Sequence, residues 1–222
     1  MISSVLTARD PARPGLRIGT SGWAYPSWKP GFYPHGTPSA SFLAYYARRF
    51  RTVELNTTGY RLPAEAQVRR WAEAAPAGFL FAPKLNAHPR APVAAFGERM
   101  RALGDRLGPA RLLVNNARDD ALLARLHAAL GPGVRVAWDL RHPSWQGAEI
   151  PPGTTVVGDV ERDAPFRYLR LREPPYSDEE LREWAARIAA LDGDVFVYLR
   201  HEDEPSAPRY AERLAELVAA HA

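Results

Sequence analysis

The chain has 222 residues, of which 46% are hydrophobic and 24% charged. That is the balance of a globular protein, and the length suffices for one large core. The absence of cysteine excludes disulfides and thiolate metal sites and fits the cytoplasm. Of the 29 basic residues only Lys29 and Lys84 are lysines. The net charge of +4 leaves anionic partners open, nucleic acid included, but is too modest to argue for nucleic acid by itself. No run approaches about 18 apolar residues, so no membrane span is expected. The N-terminus lacks a basic head followed by an apolar stretch, so no signal peptide is expected.

Residues 1–14 read as a disordered tail ahead of a single domain, 15–222. Eight short apolar runs follow: Leu16–Gly22, Thr52–Thr58, Phe79–Asn86, Ala110–Asn116, Val134–Arg141, Thr154–Asp159, Phe166–Arg172 and Asp194–His201. Helical patterns lie between most of them, at Ser39–Phe50, Ala64–Ala75, Val93–Gly104, Asp119–Leu130, Ser177–Leu191 and Ser206–His221. Ser177 and Glu180 form a capping-box pattern, and Leu181, Trp184, Ile188 and Leu191 recur at helical spacing. Alternating strands and helices imply parallel strands with right-handed crossovers. Eight of them predict an α/β (β/α)8 barrel of the TIM type, with a doubly wound open sheet as the runner-up. Two connections are unsuited to a helix. Arg141–Gly153 is proline-rich without helical period, and Val160–Pro165 has only six residues. The expected barrel is therefore incomplete, with helices missing after strands five and six.

The segment Thr52–Pro63, TVELNTTGYRLP, carries the strongest functional signal. Val53 and Leu55 point one way, Glu54 and Asn56 the other, because side chains alternate across a strand. A strand buried between helices and a core is ordinarily apolar on both faces, and polar groups there cost free energy unless paired. The same parity places Lys84 and Asn86 inward on strand three, Asp139 and Arg141 on strand five, Tyr168 and Arg170 on strand seven, and Tyr198 and Arg200 on strand eight. Glu54 and Asp139 then face four cations, Lys84, Arg141, Arg170 and Arg200. One reading is a structural network with Glu54–Lys84 as its obvious pair. The other is a site at the C-terminal strand ends, where barrel enzymes work. There Glu54 or Asp139 would be the general acid or base, Lys84 would tune a carboxylate or hold an oxyanion, and arginines would clamp an anion.

Two loops add candidates. Gly22–Pro34 carries Trp23, Tyr25, Trp28, Phe32 and Tyr33 among three prolines. It reads as a stacking lid, with Trp23 facing the ligand and Tyr60 and Arg61 beside it, or as an apolar plug over the rim. In Arg141–Trp145, His142 is a candidate acid–base group or a structural hydrogen-bonding residue. Glu54, Asp139, Asp159, His142, His201 and Asp203 are the acids and imidazoles near strand ends that a metal would use. No metal-binding spacing joins them, and the nearby cations oppose one, so no metal is expected. No glycine-rich phosphate loop or nucleophile elbow occurs, and no cofactor is expected.

The blocks IGTSGWAYPSWKPGFYP, LAYYARRFRTVELNTTGYRLP, RRWAEAAPAGFLFAPK, WDLRHPSW, RYLRLR and VFVYLRHED resemble the YecE-like family, also called domain of unknown function 72. The resemblance runs from about Leu16 to the last helix and implies a TIM-barrel-like fold; the family's activity is not established. The chain departs from the family pattern at Val114–Ala117, where a Gln–Pro segment would be expected. It departs again at Arg200–His201, where an asparagine pair would be expected, and in the missing helix after strand five. The leading expectation is an enzyme acting on a small anionic substrate, a phosphorylated molecule being one such substrate, by carboxylate acid–base catalysis. The alternatives are a non-catalytic nucleotide or nucleic-acid binder and a metal-dependent hydrolase or isomerase.

Overall fold

The computed structural model describes residues 14–221. The expected tail thus lies outside the described residues apart from Pro14. Eight parallel strands form the centre: β1 Leu16–Ser21, β2 Thr52–Leu55, β3 Leu80–Ala87, β4 Ala110–Val114, β5 Val136–Leu140, β6 Thr155–Val156, β7 Phe166–Leu171 and β8 Asp194–Leu199. Their order is β6-β5-β4-β3-β2-β1-β8-β7. A backbone hydrogen bond from Gly158 N–H to the Tyr168 carbonyl, 2.9 Å, reaches across the seam between the two ends. The barrel is therefore nearly closed.

Six helices follow the strands: α1 Phe42–Tyr46, α2 Glu65–Ala74, α3 Val93–Arg101, α4 Asp120–Leu130, α5 Asp178–Ala189 and α6 Ser206–Ala219. As expected, none follows β5 or β6; a 3-10 turn, Pro143–Trp145, stands after β5 instead. Local chemistry sets the helix ends. Ser177 Oγ accepts the Glu180 N–H at 3.2 Å, and Glu180 Oε2 accepts the Ser177 N–H at 2.7 Å, the capping box of α5. Asp119 Oδ1 accepts from Ala121 and Leu122 at the start of α4, and Gly131 ends that helix at φ +73°. No helix among the described residues is long and apolar enough to cross a membrane.

Strand parity sorts the core. Ile18, Val53, Leu55, Phe81, Leu112, Val136, Trp138, Leu169 and Val197 face the helices and belong to one large apolar cluster. The opposite faces meet inside the barrel, where Ala82, Ala137, Phe166, Tyr168, Phe196 and Tyr198 form a separate small cluster. Arg135 floors that cluster, over Phe166 and Phe196 at 5.3 and 5.0 Å and paired with Asp194 at 2.5 Å. The interior is thus aromatic towards the N-terminal strand ends and polar above, a layered filling of the TIM-barrel kind.

Most expected elements are shorter in the structure: the strand expected at Thr154–Asp159 keeps only Thr155–Val156, and two others change near the rim. The helix at Ser39–Phe50 is a 3-10 turn, Ser39–Ser41, followed by the five-residue α1. The strand from Thr52 stops at Leu55, because Asn56 is already αR and Thr57–Gly59 forms a 3-10 turn. Thr58 Oγ1 supports that turn, its single proton shared between the Leu55 and Lys84 carbonyls at 2.8 and 2.7 Å.

β1 and β2 approach closely at Gly19, where a Cβ would lie 2.2 Å from the Thr52 carbonyl oxygen. Backbone cannot yield there as a side chain would. Gly19→Ala should destabilise the fold by about 1–3 kcal/mol through overpacking, read as a lower urea midpoint with an unchanged slope.

Candidate functional site

Glu54 is 0% exposed and saturated. Arg111 Nε lies 2.7 Å from Oε1 and Arg170 Nη2 lies 2.9 Å from Oε2. Tyr168 donates its hydroxyl to Oε1 at 2.7 Å, and Ser21 donates to Oε2 at 3.1 Å. Burial alone would raise its pKa, but Arg170 and Arg111, with Tyr168 and Ser21, more than offset this and hold it at about 2. Arg111, itself 2% exposed, reaches across to Asp139 at 2.5 Å. Asp139 also takes Arg141 at 2.7 Å and Arg172 at 2.7 Å. One buried guanidinium thus bridges two buried carboxylates. Burial opposes its charge, yet Glu54 foremost and Asp139 with it hold its pKa above the ordinary arginine value.

Strand register explains the meeting. Glu54 pairs with Ala82, Lys84 with Arg111, and Leu113 with Asp139 along the ladder. The small side chains Ala82 and Ala137 leave the barrel interior room for the Arg111 guanidinium.

The bridge floors a cleft of about 590 Å³ at the C-terminal strand ends. Six cationic side chains line it: Lys84, Arg111, Arg141, Arg170, Arg172 and Arg200. They crowd one another. Burial foremost, then Arg170, Arg141 and Arg111 working against Asp139, pull the Arg172 pKa below its usual value. Nε of Arg170 and of Arg172, and Nδ1 of His201, are buried without a hydrogen-bond partner among the described residues. Tyr25 and His201 form one wall, their rings stacked at 4.7 Å. Burial pushes the Tyr25 phenol up to about 12. His201 is lowered by burial, then by Arg170 and Arg200, and stays neutral near pH 7.

The expected residues divide accordingly. Asn56, Tyr60, Lys84, Arg141, Arg170 and Arg200 line the cleft. Glu54 and Asp139 lie beneath it, and Tyr198 lies deeper, fully buried, its hydroxyl 2.8 Å from Thr52 Oγ1. Trp23, Arg61 and His142 do not line it. Trp23 packs edge-on against Trp71 and Phe81. Much of its loop is the apolar plug, with Trp28 and Tyr33 fully buried. His142 is exposed and accepts the Ser144 N–H, capping the 3-10 turn. Asp159 is taken up by Arg162 and the backbone N–H groups of Glu161 and Arg162. Among the described residues no three His, Asp or Glu side chains gather as metal ligands would.

One pairing needs correction. Glu54 does not pair with Lys84; Arg111 and Arg170 hold it. Arg111 belongs to the same inward parity as Glu54 and was legible in ARLLV, where Leu112 and Val114 face the helices. Parity likewise marks Ser21 and Arg172. Tyr25 and His201 lie in loops, where no period applies.

Glu54→Gln should lower stability at pH 7 by about 3–5 kcal/mol, because it leaves buried guanidinium uncompensated. The carboxylate's folded pKa, near 2, lies below its ordinary 4.5. Its contribution is therefore complete above about pH 4.5 and is lost as pH falls towards 2. Urea midpoints measured between pH 7 and 2 should fall more steeply for the wild type than for Glu54→Gln.

Comparison with known proteins bears on the fold. The chain matches two crystal structures of a DUF72 family protein from Enterococcus faecalis V583. The first is 15% identical, with a TM-score of 0.71 over 91% of this chain and 97% of that one. The second is 16% identical, with a TM-score of 0.70 over 91% and 95%. No curated protein matches the chain. The sequence model described as "Protein of unknown function DUF72" matches residues 17–155 and 149–222. The junction of the two stretches falls in the helix-less region between β5 and β6. Spanning nearly all the described residues, that match shows that the chain belongs to the DUF72 family.

Proposed function

We propose that the barrel mouth binds a small anion through a phosphate or carboxylate group, as the first step of an enzymatic reaction on that molecule. The observation that carries this reading is the charge imbalance of the cleft: six cations converge there above two carboxylates. Both carboxylates are already committed to guanidinium groups. An anion would relieve the mutual repulsion of the guanidinium groups that line the cleft. The concave form suits a small ligand better than a nucleic-acid backbone, which favours an extended basic stripe.

The same geometry speaks against Glu54 as the acid–base group. A carboxylate with a pKa of about 2 and four donors around it is a weak base, and it has no proton to give near pH 7. Its part is to hold Arg111 and Arg170 in place. The side chains left for chemistry at the cleft wall are Lys84, Tyr25 and His201.

Inorganic phosphate should raise the melting temperature of the wild type, by an amount that shrinks with added sodium chloride. Arg200 is exposed, and its Nη1 makes a long hydrogen bond, 3.4 Å, to the Arg172 carbonyl. Arg200→Ala should therefore leave the melting temperature without phosphate unchanged and weaken phosphate binding about tenfold, the loss of one charge-assisted hydrogen bond. Absence of any stabilisation by phosphate, sulfate or small carboxylates would overturn the reading. Tight, steeply salt-dependent binding of oligonucleotides without phosphate binding would favour the nucleic-acid alternative.

A further inference from the structure

Lys84 stands apart in a chain that carries its positive charge almost wholly on arginine. It is one of two lysines beside 27 arginines. It lies inside the barrel rim, 8% exposed, on a strand rather than a mobile loop. Its position is tightly defined. The Lys84 N–H donates to Thr58 Oγ1 at 3.0 Å, and the same hydroxyl donates to the Lys84 carbonyl at 2.7 Å. Its stem runs over Gly59, where a Cβ would meet Cδ at 3.0 Å and Cε at 3.1 Å. Nζ stands 4.9 Å from the centroid of the Tyr60 ring. Among the described residues Nζ has neither an ion pair nor a hydrogen bond.

A cation so placed is poorly suited to a structural role. The two carboxylates beneath it are held by arginines, and its charged neighbours in the cleft wall are guanidinium groups. Burial first, then Arg111 and Arg170 against Glu54, lower its pKa and enlarge the share of neutral amine. Arginine, always protonated, could supply charge at this position but not a lone pair. A lysine that is desolvated and surrounded by other cations has the setting of an amine nucleophile.

We infer that Lys84 is a nucleophilic amine that condenses with the carbonyl group of a small aldehyde, ketone or 2-oxo acid whose phosphate or carboxylate is held by the arginines of the cleft. This inference rests on the anion-binding reading of the same cleft. The neutral amine's lone pair attacks the carbonyl carbon, and the C=O π pair moves to oxygen. A proton passes from nitrogen to oxygen, giving the carbinolamine. Its hydroxyl then leaves as water after protonation from the cleft solvent, while the nitrogen lone pair closes the C=N bond. The net change is amine plus carbonyl to protonated imine plus water, with one proton taken up and no oxidant or reductant. The positive imine remains beside the bound anion.

The test uses the full wild-type chain with glyoxylate, an anionic aldehyde, and acetaldehyde, a neutral one, each trapped by sodium cyanoborohydride. Peptide mass spectrometry reads the labelling rates of Lys84 and of Lys29, the internal standard. With glyoxylate, Lys84 should be labelled at least tenfold faster than Lys29, and added inorganic phosphate should slow it. With acetaldehyde the ratio should be smaller. Comparable high Lys84 to Lys29 ratios with both aldehydes would support the amine nucleophile while removing the anion site. A ratio near one with glyoxylate would overturn the inference, even where phosphate still stabilises the fold and the anion site stands. Each of these outcomes is read on the wild-type chain itself. Lys84→Arg, which keeps the charge, should abolish labelling at position 84 while retaining the wild-type circular dichroism spectrum.

Discussion

The Arg111 guanidinium, buried between Glu54 and Asp139, is the interaction on which the mouth of this barrel depends. Three strands, β2, β4 and β5, each contribute one charged side chain to it. Buried charges are tolerated when geometry and hydrogen bonding are good, and costly when one partner is removed. Here the carboxylate oxygens are filled from several sides: Tyr168 and Ser21 on Glu54, Arg141 and Arg172 on Asp139. The bridge therefore defines a rigid polar floor above the aromatic layer of Phe166, Phe196, Tyr168 and Tyr198.

That floor changes the meaning of the acidic residues. In a barrel mouth, two acids among several bases invite assignment as an acid–base pair. Once each acid is committed to arginine, its part becomes positional: it fixes the guanidinium groups of the cleft. Groups without such commitments, Lys84, Tyr25 and His201, stand one layer up the wall. Charge neutralisation beneath and charge excess above are two consequences of the same arrangement.

The truncated half of the barrel fits this division. The lining residues of the cationic cleft come from β1, β3, β4 and β7 and from the segments after β1, β2, β5, β7 and β8, while β6 contributes none. β6 is two residues long, and no helix follows it or β5. Of the helix-less stretch between β5 and β7 only Arg141, at its start, lines the cleft. In that stretch the Trp145 side chain is buried and donates Nε1–H to the Asn116 carbonyl at 2.8 Å.

Alternation of apolar runs with helical periods determined the eight parallel strands, and the proline-rich and six-residue connections marked the two missing helices. These are short-range properties, because a strand's parity and a crossover's length are written along the chain itself. Parity also identified Glu54, Asp139, Lys84, Arg141 and Arg170 as interior, and it applies equally to Arg111. What parity does not carry is partner choice. Glu54 could meet any inward cation on neighbouring strands, and the choice of Arg111 and Arg170 over Lys84 rests on side-chain length and barrel closure, which brings β7 opposite β2. The loop residues were the least legible: Tyr25 lines the cleft and Trp23 does not, although both sit in one aromatic segment. Their orientation follows from packing against Trp71, Phe81 and His201, contacts that exist only once distant parts of the chain have come together.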